Sequence, residues 1–114
     1  LVAEDIESNF KLISYYLSKF DLEIIHAENG KEAVDYMKEN EDTDLILMDI
    51  KMPVMDGYTA VRRIREFNTK VPIIAQTAFA DDITAARESG CNGFISKPFQ
   101  KQQFLTAINE IISL

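Results

Sequence analysis

DLILMDIKMPVMDGYTA, residues 44–60, carries four apolar residues, Leu45 to Met48, straight into the carboxylate of Asp49. A short apolar run bounded by turn signals reads as a strand buried on both faces. The signals here are Met52-Pro53 and Asp56-Gly57, before helical spacing resumes at Val61 and Ile64. Pro53 stiffens the loop, Gly57 tolerates a tight turn, and Asp56 is placed to cap the helix that follows. The stretch is strand, loop and helix in order, with an acid at the strand's tip.

The same alternation extends along the whole chain. Further apolar runs occur at Leu1–Ala3, Leu22–Ala27, Ile73–Ala75 and Phe94–Ile95. Helical spacing separates them: Ile6, Phe10, Ile13 and Leu17; Ala33, Val34 and Met37; a thin helix over residues 83–89 closed by Gly90; and Phe104, Leu105, Ile108, Ile111 and Ile112. Five strands alternating with five helices predict an α/β domain over residues 1–114, doubly wound about a parallel sheet. At 114 residues the chain can close one core. No apolar run approaches the roughly 20 residues of a membrane span, and the lone Cys91 fits a reducing compartment. The formal charge of −7 opposes contact with a phosphate backbone, so no nucleic-acid partner is expected.

Parallel sheets hold their chemistry at the carboxyl ends of the strands. Glu4-Asp5 follows the first strand, Asp49 the third, Thr77-Ala78 the fourth and Lys97-Pro98 the fifth. Ionised carboxylates about 4 Å apart repel by on the order of 4 kcal/mol at an effective dielectric near 20, so a proton or a cation must sit among them. Oxygen-only ligands in a half-open site suit Mg²⁺. Lys97 could neutralise an incoming phosphoryl group and Thr77 could donate a hydrogen bond to it. Asp49 is then the candidate nucleophile for an aspartyl phosphate.

With these residues in order, the chain resembles the receiver (response-regulator) domain of two-component phosphorelays along essentially its whole length. The likeness rests on Glu4-Asp5, Asp49, Met52-Pro53 with Asp56-Gly57, Thr77-Ala78 and Lys97-Pro98-Phe99. It implies the flavodoxin-like (βα)5 fold with strand order 2-1-3-4-5. It also implies that Asp49 accepts a phosphoryl group from a histidine kinase or histidine phosphotransfer protein. Asp5, Asp49 and the Lys51 carbonyl would bind Mg²⁺, with Glu4 acting through a water. Thr77, Ala78 and Lys97 would hold the phosphoryl oxygens, Thr77 and Phe94 would form the switch, and the bond before Pro98 would be cis. The signal would leave through the fourth helix, the fifth strand and the last helix. The resemblance further implies a cytoplasmic domain that catalyses its own phosphorylation and dephosphorylation. It is either free or part of a larger, membrane-bound hybrid kinase, and a homodimer is left open. The Glu-Asp form of the acidic pair looks more like receivers attached to hybrid sensor kinases. Lys51 and Phe79 are expected to hinder water and prolong the phosphoryl group's life.

Other features read as structural. His26 and Cys91 are expected to pack, Arg62, Arg63 and Arg65 to form a solvated face, and Met37, Met48, Met52 and Met55 to fill core and loop. A haloacid-dehalogenase-type phosphatase would need an acid where Lys51 stands, and four glycines form no nucleotide-binding motif. The remaining alternative is a receiver-like interaction module that is never phosphorylated.

Overall fold

The computed structural model describes residues 1–78 and 82–112. In chain order the elements are β1 (Val2–Ala3), α1 (Glu7–Leu17), β2 (His26–Ala27), α2 (Gly30–Glu39), β3 (Ile46–Asp49), α3 (Gly57–Arg65), β4 (Ile73–Thr77), α4 (Asp82–Ser89), β5 (Gly93–Ser96) and α5 (Lys101–Ile111). The strands form one parallel sheet in the order β2-β1-β3-β4-β5. This is the doubly wound receiver-type fold expected from the resemblance.

Each face of the sheet buries its own cluster. Val2, Leu47, Ile74 and Ile95 pack with Ile13 and Leu17 of α1 and with Phe104 and Ile108 of α5. Ala3, Met48 and Ile73 pack on the other face with Ala33, Val34 and Met37 of α2 and with Ala60, Val61 and Ile64 of α3. Residues one apart on a strand thus serve opposite layers, as the pleat requires. A third, smaller cluster joins Ile50, Ala75 and Ala86, with Tyr58, Cys91 and Phe94 against it. It is thin because Ala86 and Ser89 are the buried residues of α4.

Local chemistry sets the helix starts. Asn29 accepts from the Glu32 N–H at 2.9 Å, and Asp56 accepts from the Thr59 N–H at 2.8 Å. Gly90 closes α4 with φ +116°, a conformation open to glycine. The need for Gly57 is different from the one its sequence suggests. A Cβ there would lie 2.3 Å from the Asp49 carbonyl oxygen and 2.8 Å from Ile50 Cα, so close packing on β3, not turn freedom, demands glycine.

Four expectations are corrected in detail. β2 covers only His26–Ala27, not Leu22–Ala27, because its ladder extends no further than its short partner β1. β4 runs on through Thr77, which makes Thr77 a strand residue. Ile6 lies before α1 and is half exposed, and Ile112 lies past the end of α5. Arg65 is no solvated charge: it donates to the Gly90 carbonyl (3.0 Å), the Asn68 carbonyl (3.1 Å) and Asn92 Oδ1 (2.9 Å). Those bonds pin α3 to the turn between α4 and β5.

Candidate functional site

β1 and β3 end side by side. Ala3 is in register with Met48, so Glu4, just past β1, lies beside Asp49, the last residue of β3. Both are buried, whereas Asp5 is exposed. One carboxylate oxygen from each of Glu4, Asp5 and Asp49 lies within 4.8 Å of the others. Lys97 reaches in from the end of β5, its Nζ 3.3 Å from Glu4 Oε1 and 3.2 Å from Asp49 Oδ2. The peptide joining Lys97 to Pro98 is cis. Asp49 Oδ1 also accepts from the Lys51 N–H at 3.3 Å.

The loop after Asp49 is held tightly. Gly57 N–H donates to the Ile50 carbonyl at 2.8 Å, and Met55 N–H donates to the Pro53 carbonyl at 2.7 Å. That second bond spans Val54, whose φ of 69° is costly for a β-branched residue. The loop therefore stores strain beside the acids.

Burial without enough partners shapes the electrostatics. The Glu4 carboxyl is pushed up to about 8, chiefly by desolvation and then by its hydrogen bond to Asp49 and the charge there; Lys97 opposes the rise. Glu4 Oε2 is buried and has no hydrogen-bond partner among the described residues. Three carboxyl groups facing one ammonium, all donors oxygen, with one oxygen unsatisfied, fit a hard dication such as Mg²⁺. Asp5, Asp49 and the Lys51 carbonyl could hold it, with Glu4 one shell further out.

The remaining candidates surround this centre. The Thr77 hydroxyl donates to Asp82 Oδ2 at 2.7 Å. Ala78 is exposed just past the strand. Phe94 is half-buried over Ala75 and Ala86, with the Arg87 guanidinium 5.4 Å from its ring centroid. Phe79, expected with Lys51 to slow hydrolysis, lies outside the described residues. An open cavity of about 480 Å³ adjoins the acids, lined by Asp5, Lys51, Met52, Asp56, Tyr58 and Asp82 among others.

Four participants were not anticipated. Asp82 binds the Thr77 hydroxyl, and Tyr58 Oη donates to the Asp82 carbonyl at 3.3 Å. Gln76 is fully buried in register with Asp49, and neither atom of its amide has a partner among the described residues. His26 braces Glu4 from below: its Nε2 lies 2.7 Å from the Glu4 carbonyl and its ring stacks on Phe10 at 3.7 Å. An acid on the first turn of α4 and a Gln before Thr77 were the available signals.

Comparison with known proteins places the chain as a whole. The family model described as "Response regulator receiver domain" matches residues 1–109. Over 116 residues the chain is 38% identical to the chemotaxis protein CheY of Halobacterium salinarum, covering 99% of this chain and 95% of that protein. It is 40% identical to a segment of the osmosensing histidine protein kinase SLN1 of Saccharomyces cerevisiae, covering 96% of this chain but only 10% of the kinase. Among solved structures, it aligns with the receiver domain of sensor histidine kinase PA1611 from Pseudomonas aeruginosa, which carries a magnesium ion in its active-site cleft. The TM-score there is 0.81, with 32% identity and 99% and 95% of the two chains covered. It also aligns, with TM-score 0.89, 31% identity and coverage of 96% and 85%, with the co-crystal structure of the yeast histidine phosphotransfer protein Ypd1 and the receiver domain of Ssk1.

Proposed function

The chain belongs to the response regulator receiver domain family of two-component signalling, and from that premise we propose that Asp49 accepts a phosphoryl group from a phosphohistidine on a histidine kinase or histidine phosphotransfer protein. The observation that carries this is the Lys97 ammonium lying 3.2 Å from Asp49 Oδ2 and 3.3 Å from Glu4 Oε1 at the sheet's edge. A carboxylate so held is presented on a rigid strand, next to the charge its phosphoryl adduct needs.

In the step, an Asp49 carboxylate oxygen attacks phosphorus in line with the leaving imidazole nitrogen. The P–N bond breaks, and its electron pair stays on the imidazole, which takes up a proton. Lys97 offsets charge on the phosphoryl oxygens, and the Ala78 N–H and Thr77 hydroxyl donate to them. Mg²⁺ held by Asp5, Asp49 and the Lys51 carbonyl would neutralise the acids and the incoming anion. Thr77 moving toward the phosphoryl group leaves space for Phe94 to turn inward, and α4, β5 and α5 carry the change outward. The α4 element suits this because so little of it is buried.

Intact mass after incubation with acetyl phosphate tests the assignment, with and without Mg²⁺, on wild type and Asp49→Asn. One added phosphoryl group, dependent on Mg²⁺ and absent from Asp49→Asn, is expected. No addition in wild type, from acetyl phosphate or from a phosphohistidine donor, would overturn it in favour of an interaction module.

A further inference from the structure

Two side chains of α4 grip the two residues assigned to the switch. Asp82, in the first turn, accepts the Thr77 hydroxyl at 2.7 Å, and Arg87, in the last turn, lies over the Phe94 ring. Asp82 is itself held: its carbonyl accepts from Tyr58 Oη at 3.3 Å, which ties it to α3. The Thr77 bond first, then Tyr58 and last the Lys51 charge, hold the Asp82 carboxyl below the usual carboxylate range. A hydroxyl donates one proton at a time. Thr77 therefore cannot give the same proton to Asp82 and to a phosphoryl oxygen.

We propose that Asp82 is a positioning residue that restrains the switch: it holds the Thr77 hydroxyl on α4 in the unphosphorylated protein, and phosphorylation must win that proton away. The restraint rests on the phosphoacceptor role of Asp49. Its consequence is a coupling between site and output helix built on one exchange of acceptors. When Thr77 turns to the phosphoryl group, α4 loses the bond at its first turn, and the contact of Arg87 with Phe94 is free to follow. Phosphoryl binding is then weaker than the site alone would allow, because part of its gain replaces a bond already made.

The test is the affinity of the full chain for beryllofluoride with Mg²⁺, as a phosphoryl mimic, in a double-mutant cycle. Asp82→Ala should tighten binding by roughly 3- to 10-fold, the range expected when one hydrogen bond to a partly exposed carboxylate no longer competes. Asp82→Asn, which keeps an acceptor oxygen, should fall between wild type and Asp82→Ala. In a Thr77→Val background, where no hydroxyl remains to be held, Asp82→Ala should change affinity by less than about twofold. An equal tightening with and without the Thr77 hydroxyl would overturn the restraint, since lost charge or a frayed helix would then be the cause. Unchanged affinity in Asp82→Ala, with wild type binding normally, would overturn it alone. Failure of wild type to bind the mimic at all would overturn the phosphoacceptor assignment and the restraint together.

Discussion

In the absence of divalent cations, raising the pH should destabilise this domain through Glu4. The carboxyl is fully buried, and desolvation together with Asp49 pushes it up to about 8, from 4.5 in an exposed chain. The folded state therefore keeps a proton that the unfolded state releases. The stabilisation is complete below about pH 4.5 and is lost as pH rises through about 8. A displacement of that size corresponds to roughly 3–5 kcal/mol, a large part of the 5–15 kcal/mol that stabilises a typical domain. For a domain of this length it amounts to a fall in Tm of roughly 10–20 °C.

Urea denaturation in EDTA at pH 5.5 and pH 8.5, on wild type and Glu4→Gln, isolates the effect. The variant carries a neutral side chain of the same shape, and every other titrating group is common to both proteins. Wild type should lose about 3 kcal/mol more than Glu4→Gln between the two pH values. Mg²⁺ should remove most of that difference, because a cation among the acids favours the ionised form and displaces the proton. Parallel losses, within about 0.5 kcal/mol, would refute the reasoning: Glu4 would then be ionised in the fold, and its charge compensated by more than Lys97.

Three further outcomes follow from single contacts. Gly57→Ala should cost about 2–4 kcal/mol in thermal denaturation, since its Cβ would meet backbone atoms of Asp49 and Ile50 at 2.3–3.0 Å and no flexible side chain can give way. Gln76→Leu should stabilise by about 1–2 kcal/mol in urea, because a buried amide without partners among the described residues is replaced by an apolar group of similar size; a loss of stability would show that the amide is satisfied in solution. Arg65→Met should cost about 1–3 kcal/mol by removing three hydrogen bonds. It should also speed amide exchange at Asn92, whose N–H donates to the Ile73 carbonyl at 2.8 Å.

The strands and helices were legible because burial leaves a periodic trace. Ile13, Leu17, Val61, Ile64, Phe104 and Ile108 are buried where their spacing places them. The order of the strands was not legible in that way. An apolar run such as Ile73–Ala75 shows that both faces are covered but not which strand lies beside it, so the order came from resemblance. β2 was overestimated for a related reason: Leu22 to Ile25 are apolar enough for a strand, but pairing depends on a partner's length. Arg65 was misjudged because two of its three acceptors, Gly90 and Asn92, are 25 and 27 residues away. A charged head group says little about itself until its partners are known.

The site shows why the acids could nevertheless be found. Among the described residues, the buried polar or charged side chains are Glu4, Asp49, Gln76, Thr77 and Ser89. Four of these stand at the carboxyl ends of β1, β3 and β4, and Ser89 answers its own helix by donating to the Ala85 carbonyl at 2.6 Å. A core tolerates such groups at a cost, and a fold that concentrates them at one edge holds that edge for chemistry. Glu4 and Asp49 betray this in sequence because an acid after an apolar run breaks the pattern. Asp82 does not, since an acid in the first turn of a helix is already accounted for by the helix dipole. Its bond to Thr77 adds a second role to a position that has an ordinary one. That is the kind of residue composition and spacing cannot separate, and the Thr77→Val background separates it by removing one role while leaving the other in place.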